Sequence, residues 1–187
     1  VTLDQLTKIA KNEFGAAIAD MKRRRGDTPA PQFTLWRDDM SSDVLPMPEE
    51  LHATMGHGKA KDELFAFIRE GIAKQPDITG FSYRCEAWMC IETAEGNAHR
   101  AEFAAAYDTG LETLVKRGWL MRCEGLVIIA QSREDVVLIS QPFQREPGLL
   151  RWLKEPETKR GPQSGYAGRS KMWGDPRLMG GSRETAW

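Results

Sequence analysis

A chain of 187 residues is long enough for one domain with a buried core and an extension beyond it. Its formal net charge of −1 gives no global attraction to nucleic acid or anionic membrane. No apolar run approaches the roughly 18 residues that cross a bilayer. The opening VTLDQLTKIAKNEF breaks its apolar positions with charge, unlike a secretory signal, so a cytoplasmic protein with no membrane partner is expected. The three cysteines fit that expectation as reduced thiols.

Residues 2–23 read as an amphipathic helix. Thr2 is its N-cap, Asp4 suits the helix dipole, and Leu3, Leu6, Ile9, Ala10, Phe14 and Ala17 follow the helical stripe. Lys22 to Arg25 close it and Gly26 ends it, a run of basic residues that reads as a solvated cap. After a proline-containing linker, residues 32–37 (QFTLWR) predict a short strand. A polar loop then leads to a second strand around residues 44–47, confined to an edge by Pro46 and Pro48. Residues 59–74 predict a second helix, with Leu64, Phe65, Ile68 and Ile72 on its apolar face.

Residues 80–92, GFSYRCEAWMCIE, organise the rest. Phe81, Tyr83, Cys85, Ala87, Met89 and Ile91 alternate onto one face of a long strand, and Ser82, Arg84, Glu86, Trp88 and Cys90 onto the other. Apolar residues on both faces place this strand inside the sheet. Residues 94–118 read as a helical insertion with Gly110 as its weak point, and 125–130 pairs with 136–141 across a polar turn. Pro142 and Pro147 bracket the exit, and 149–153 predicts one helical turn.

The expected fold class is therefore α+β. An antiparallel sheet of about five strands is packed by helices within a single domain of residues 1–153, followed by an irregular extension, 154–187. That extension is rich in Gly, Pro and Ser and cannot build its own core. From residue 151 to the end there are eight Lys/Arg against four Asp/Glu, a balance of +4. The other 150 residues hold eighteen basic and twenty-three acidic side chains, −5.

The order of elements, with Cys85, Glu86, Ala87, Trp88 and Met89 on the long strand, resembles a group of uncharacterised bacterial and phage α+β proteins. Their strand carries a Ser-Glu-Ala-Trp-Met-like signature. Phe33 to Pro48 resembles the hairpin preceding their helix, so the resemblance spans residues 30–142. It implies a bacterial or phage accessory protein and no catalytic residues. The inserted helix and the tail depart from the group. The layout is also similar to roadblock and profilin-like modules, which implies dimer formation or partner binding.

No constellation of residues establishes catalysis, and no cofactor is expected. His52 and His57, with Glu50 nearby, lack the three- or four-residue spacing of a helical metal pair and read as an ordinary loop, so no metal site is expected. GHGK at residues 56–59 lacks the spacing of a phosphate loop. Cys85 and Glu86 point to opposite faces and do not cooperate as nucleophile and base. Arg84, Glu86 and Trp88 share a face, where the carboxylate needs a partner: an ion pair across the sheet, or a ligand. In the tail, Arg160, Arg169, Lys171, Arg177 and Arg183 alternate with Tyr166, Trp173 and Trp187. That composition suits a protein partner, or the domain's own surface in a homodimer or on folding back. The first alternative is nucleic acid, with arginine on phosphate and rings on bases. A small hydrolase or metal-dependent enzyme ranks third.

Overall fold

The computed structural model describes residues 1–24, 27, 31–46, 72, 75, 77–100, 102–103, 110–146 and 149–162. Helix α1 (Leu3–Arg23) starts on a reciprocal cap. The Gln5 amide donates to the Thr2 hydroxyl at 3.3 Å, and the Thr2 amide donates to Gln5 Oε1 at 2.7 Å. At its other end Asp20 binds both Arg23 and Arg24, one helical turn away.

The strands are β1 (Gln32–Arg37), β2 (Ser42–Pro46), β3 (Ile78–Glu92), β4 (Leu120–Ser132), β5 (Asp135–Glu146), β6 (Leu149–Trp152) and β7 (Glu157–Pro162). Between β3 and β4, the described residues include the short helices α2 (Ala94–Ala98) and α3 (Leu111–Lys116). The fold is α+β, with every pairing antiparallel and the strand order β2-β1-β3-β4-β5-β6; β7 also pairs with β5.

This sheet is larger than the five strands expected from the sequence. Residues 149–152 form β6 in place of a helical turn, because the hairpin from β5 sets Trp152 edge-on to Phe143 at 5.6 Å. Residues 157–162, expected within the irregular extension, form β7. An edge strand with exposed Glu157, Thr158, Lys159 and Arg160 needs no apolar period, only backbone pairing to β5. Pro142 lies inside β5 rather than beyond it. Its carbonyl accepts from the Leu153 amide at 3.0 Å, so its backbone faces the break between β6 and β7, and the missing N–H costs no bond to β4. The insertion contains α2 and α3, with Gly110 at φ 96° preceding α3 and Gly118 at φ 74° following it. The helix expected at 59–74 lies outside the described residues except for Ile72, which is buried.

The main core forms where α1 crosses β4 and β5. Leu6, Ile9, Ala10, Ala17 and Met21 meet Leu126, Ile128, Ala130, Val137, Ile139 and Phe143. Those strand residues are register partners or stand two or four residues apart along a strand, so they present one face. The opposite face buries Phe33, stacked on Tyr83 at 4.3 Å, together with Leu35 and Phe81. A smaller cluster of Leu114, Trp119 and Leu120 anchors the two short helices.

Two glycines are fixed by close approach. A Cβ on Gly96 would lie 2.2 Å from the Trp119 carbonyl oxygen, a backbone atom. On Gly125 it would lie 2.0 Å from Met89 Sδ, the end of a flexible side chain. Gly96→Ala is therefore expected to cost about 2 kcal/mol in urea unfolding, and Gly125→Ala less, because the thioether can change rotamer. Equal losses would show that Met89 is held as rigidly as backbone.

Candidate functional site

Strand β3 outruns its neighbour. β1 pairs with it only as far as Gln32 opposite Arg84, whereas β4 follows it to Leu120 opposite Glu92. Among the described residues no strand pairs with 85–92 on the other side: residues 85–88 form an edge still backed by β4 and β5, and 89–92 continue with β4 alone as a two-stranded ribbon. A two-stranded ribbon is marginal alone and needs support at its tip. Here the tip is tied down by Thr93. Its amide donates to the Trp119 carbonyl at 3.1 Å, and its hydroxyl donates to the Gly118 carbonyl at 2.7 Å. The same hydroxyl accepts from the Gly96 amide at 3.0 Å as the N-cap of α2. Trp119 stacks on His99, 5.1 Å away and 10° from parallel, and the Arg117 guanidinium lies 5.0 Å from its ring centre.

On the α1 side of the sheet, the ribbon carries the row that the sequence singled out. Trp88 is 75% exposed, the highest value for any large hydrophobic side chain described, while its neighbours along β3 are half-buried. Register places it directly opposite Glu124. Glu86 and Glu124 both reach Arg145 on β5, whose Nη2 donates to Glu86 at 2.6 Å and whose Nε donates to Glu124 at 2.9 Å. Burial lowers the Arg145 pKa, but the hydrogen bonds and charges of the two glutamates more than offset that and raise it overall. One guanidinium thus serves two carboxylates. A shallow cavity of about 150 Å³ lies among Glu86, Ala87, Trp88 and Glu124. That is smaller than the roughly 300 Å³ at which drug-sized ligand pockets begin, so the shape suits a single side chain.

Arg84 does not pair with Glu86, although they share a face. Side chains two apart on a strand stand roughly 6–7 Å from each other, and each finds a nearer partner. Arg84 Nη2 donates to Gln32 Oε1 at 2.8 Å, and its other terminal nitrogen lies 3.9 Å from Glu13 on α1. Glu13 also accepts from the Thr34 hydroxyl at 3.3 Å, and the Trp36 indole donates to Ser82 Oγ at 3.0 Å. This half-buried polar set lies under the helix and is built into the packing. The sequence-derived row therefore separates into a structural Arg84 and a surface pair, Glu86 and Trp88. Glu124 and Arg145 escaped notice because nothing in their spacing marks them: Arg145 is 59 residues from Glu86. The alternation that placed Trp88 opposite Glu124 becomes visible only once the register is known.

Cys85, Cys90 and Cys123 are free thiols, and Cys123 is buried. Burial, then Cys90, raises the Cys123 pKa. Burial likewise raises Tyr83, and the nearby Cys85 adds to it. No group of three or more His, Cys, Asp or Glu among the described residues is placed to hold a metal ion. Among those residues, no helix is long and apolar enough to cross a membrane. Arg160 is exposed on β7 opposite Val137. Tyr166, Arg169, Lys171, Trp173, Arg177, Arg183 and Trp187 lie outside the described residues, as do Glu50, His52, His57 and residues 56–59.

No protein-family model matches the chain, and no curated protein or solved structure matches it.

Arg145→Met would leave Glu86 and Glu124 as like charges over one stretch of ribbon. We expect a loss of about 1 kcal/mol in low salt, measured by denaturant unfolding, because all three groups are partly solvated. Molar salt should shrink the difference from wild type by screening the repulsion. A loss unchanged by salt would assign the role of Arg145 to packing over Phe143, whose ring centre lies 5.6 Å away.

Proposed function

We propose that the protein is a non-enzymatic binding module that docks a protein partner through the β3–β4 ribbon around Trp88. The residues beyond Pro162 would act as a second, basic and aromatic arm. The observation that carries this reading is the 75% exposure of Trp88 on an ordered strand. A tryptophan in that position gives up a large apolar area to water, and tryptophan is among the side chains that dominate binding energy at interfaces. A bacterial or phage accessory protein, cytoplasmic and able to form a homodimer, fits the resemblance drawn from the sequence. A second reading, nucleic-acid association through the tail, is favoured by the +4 balance of residues 151–187 and by their interleaved rings.

The test is affinity capture from nuclease-treated and untreated lysate with three chains: wild type, Trp88→Ala, and a chain ending at Pro162. A partner lost with Trp88→Ala and insensitive to nuclease supports the ribbon. Loss only on truncation transfers docking to the tail, and loss only with nuclease favours the second reading. Identical recovery from all three chains ends both. Because Trp88 is so exposed, Trp88→Ala should stay within about 0.5 kcal/mol of wild type in unfolding. A loss of capture would then report binding and not misfolding.

A further inference from the structure

We propose that the face of the sheet turned away from α1 holds a site for a small zwitterion, a free α-amino acid with an aliphatic side chain. The site is a cavity of about 210 Å³ between Met89 and Ile91 of β3 and the chain from Lys154 to Glu157, floored by Ser140 and Pro142 of β5. It lies on the opposite face of β3 from Trp88 and is independent of that docking surface.

Register puts these residues on one face. Met89 is opposite Cys123, and Ile91 is opposite Met121. Pro142 is opposite Gly125, while Ser140 has Val127 on one side and Glu157 on the other. All of them alternate with Leu126, Ile128 and Ile139, which pack on α1. In a flat sheet, β3 and β7 would stand three strand spacings apart, about 14 Å. One cavity touches both, so the twisted sheet curls around it. The far wall is fixed to β5 by three attachments. The Leu153 amide donates to the Pro142 carbonyl at 3.0 Å, Gln141 Nε2 donates to the Lys154 carbonyl at 3.0 Å, and Glu157 pairs with Ser140. The near wall can adapt. Met89 lies over Gly125, and a thioether repacks readily around aliphatic groups of different shape.

Lys154 and Glu155 put both signs of charge on the rim. Lys154 opposes the rise that burial causes in the Cys123 pKa, so its ammonium lies within electrostatic reach of the floor. Glu157 accepts from Lys159 at 3.3 Å, which assigns an incoming ammonium to Glu155. Two lysines and two glutamates thus balance within residues 154–159, a setting that suits a ligand carrying one charge of each sign. The carboxylate of the ligand would meet Lys154 and the Ser140 hydroxyl, and its ammonium Glu155. Its side chain would lie on Met89, Ile91 and Pro142. The volume is that of about seven waters at about 30 Å³ each. It falls below the roughly 300 Å³ at which drug-sized pockets begin, which fits a free amino acid and excludes a longer peptide.

The test is a titration of the full chain, labelled with ¹³C at its methionine methyl groups, with L-leucine at millimolar concentration. Met89→Leu identifies the Met89 signal. Two analogues each lack one charge: 4-methylpentanoate has no ammonium, and 3-methylbutylamine has no carboxylate. Leucine should shift the Met89 methyl saturably, and both analogues should bind at least about tenfold more weakly. Lys154→Gln, at an exposed position, should keep the methyl signals of the free protein and weaken leucine at least about tenfold. No saturable shift at Met89, or equal shifts spread over all eight methionines, would overturn the site. Equal binding of leucine and either analogue, or undiminished binding to Lys154→Gln, would overturn recognition of a zwitterion.

Discussion

The long pairing of β3 with β4, running unbroken from Gly80 opposite Ser132 to Glu92 opposite Leu120, is the constraint on which the rest depends. A ladder of that length fixes register strongly, because a slip of one residue would turn every apolar side chain to the wrong face. With the register fixed, Leu126, Ile128 and Ala130 must face α1, and their neighbours Val137, Ile139 and Phe143 complete the surface that the helix covers. The same ladder carries Glu86 and Trp88 past the end of β1. Core and candidate docking surface are thus two stretches of one pair of strands.

The difference between those stretches lies in what flanks them. Where β1 and β5 lie on either side, β3 and β4 bury most of their side chains, and even Glu13 and Arg84 are held in a polar set under α1. Beyond β1, the ribbon has lost a neighbour on one side and half-burial becomes the rule, with Trp88 as the extreme. Support comes instead from the ribbon's tip, where Thr93, Gly96 and Trp119 bond strand to helix at separations too close for any other side chain at position 96. A stiff ribbon restrained at both ends is a suitable platform for a surface tryptophan, since little conformational entropy remains to be lost on binding.

Charge is arranged to match. Arg145 reaches across β4 and gathers two glutamates, which steadies the ribbon's exposed face. At the other side of the sheet Arg37 does the same, joining Asp43 of β2 to Asp77 just before β3. Both are partly solvated, so each contributes modestly to stability, and their main effect is to fix side-chain geometry where strands diverge.

The sequence alone determined α1, the β1–β2 hairpin, the centrality of residues 80–92 and their division into two faces, because helical and strand periodicities are local and read directly from side-chain spacing. Gly110 as a break in the insertion was legible for the same reason: its backbone preference is its own. Tertiary structure decided what depends on partners distant in the chain. Pro142 sits inside a strand because its backbone happens to face a gap between β6 and β7. Residues 157–162 pair as β7 although their composition is that of a linker, since an exposed edge strand draws its bonds from backbone rather than from an apolar pattern. The partner of Glu86 is Arg145 rather than Arg84, because distance across a folded sheet, and not spacing along a strand, sets which charges meet. Trp88 could be placed on a face from its neighbours, but its exposure follows from β1 stopping opposite Arg84, and only the register of the assembled sheet fixes that end.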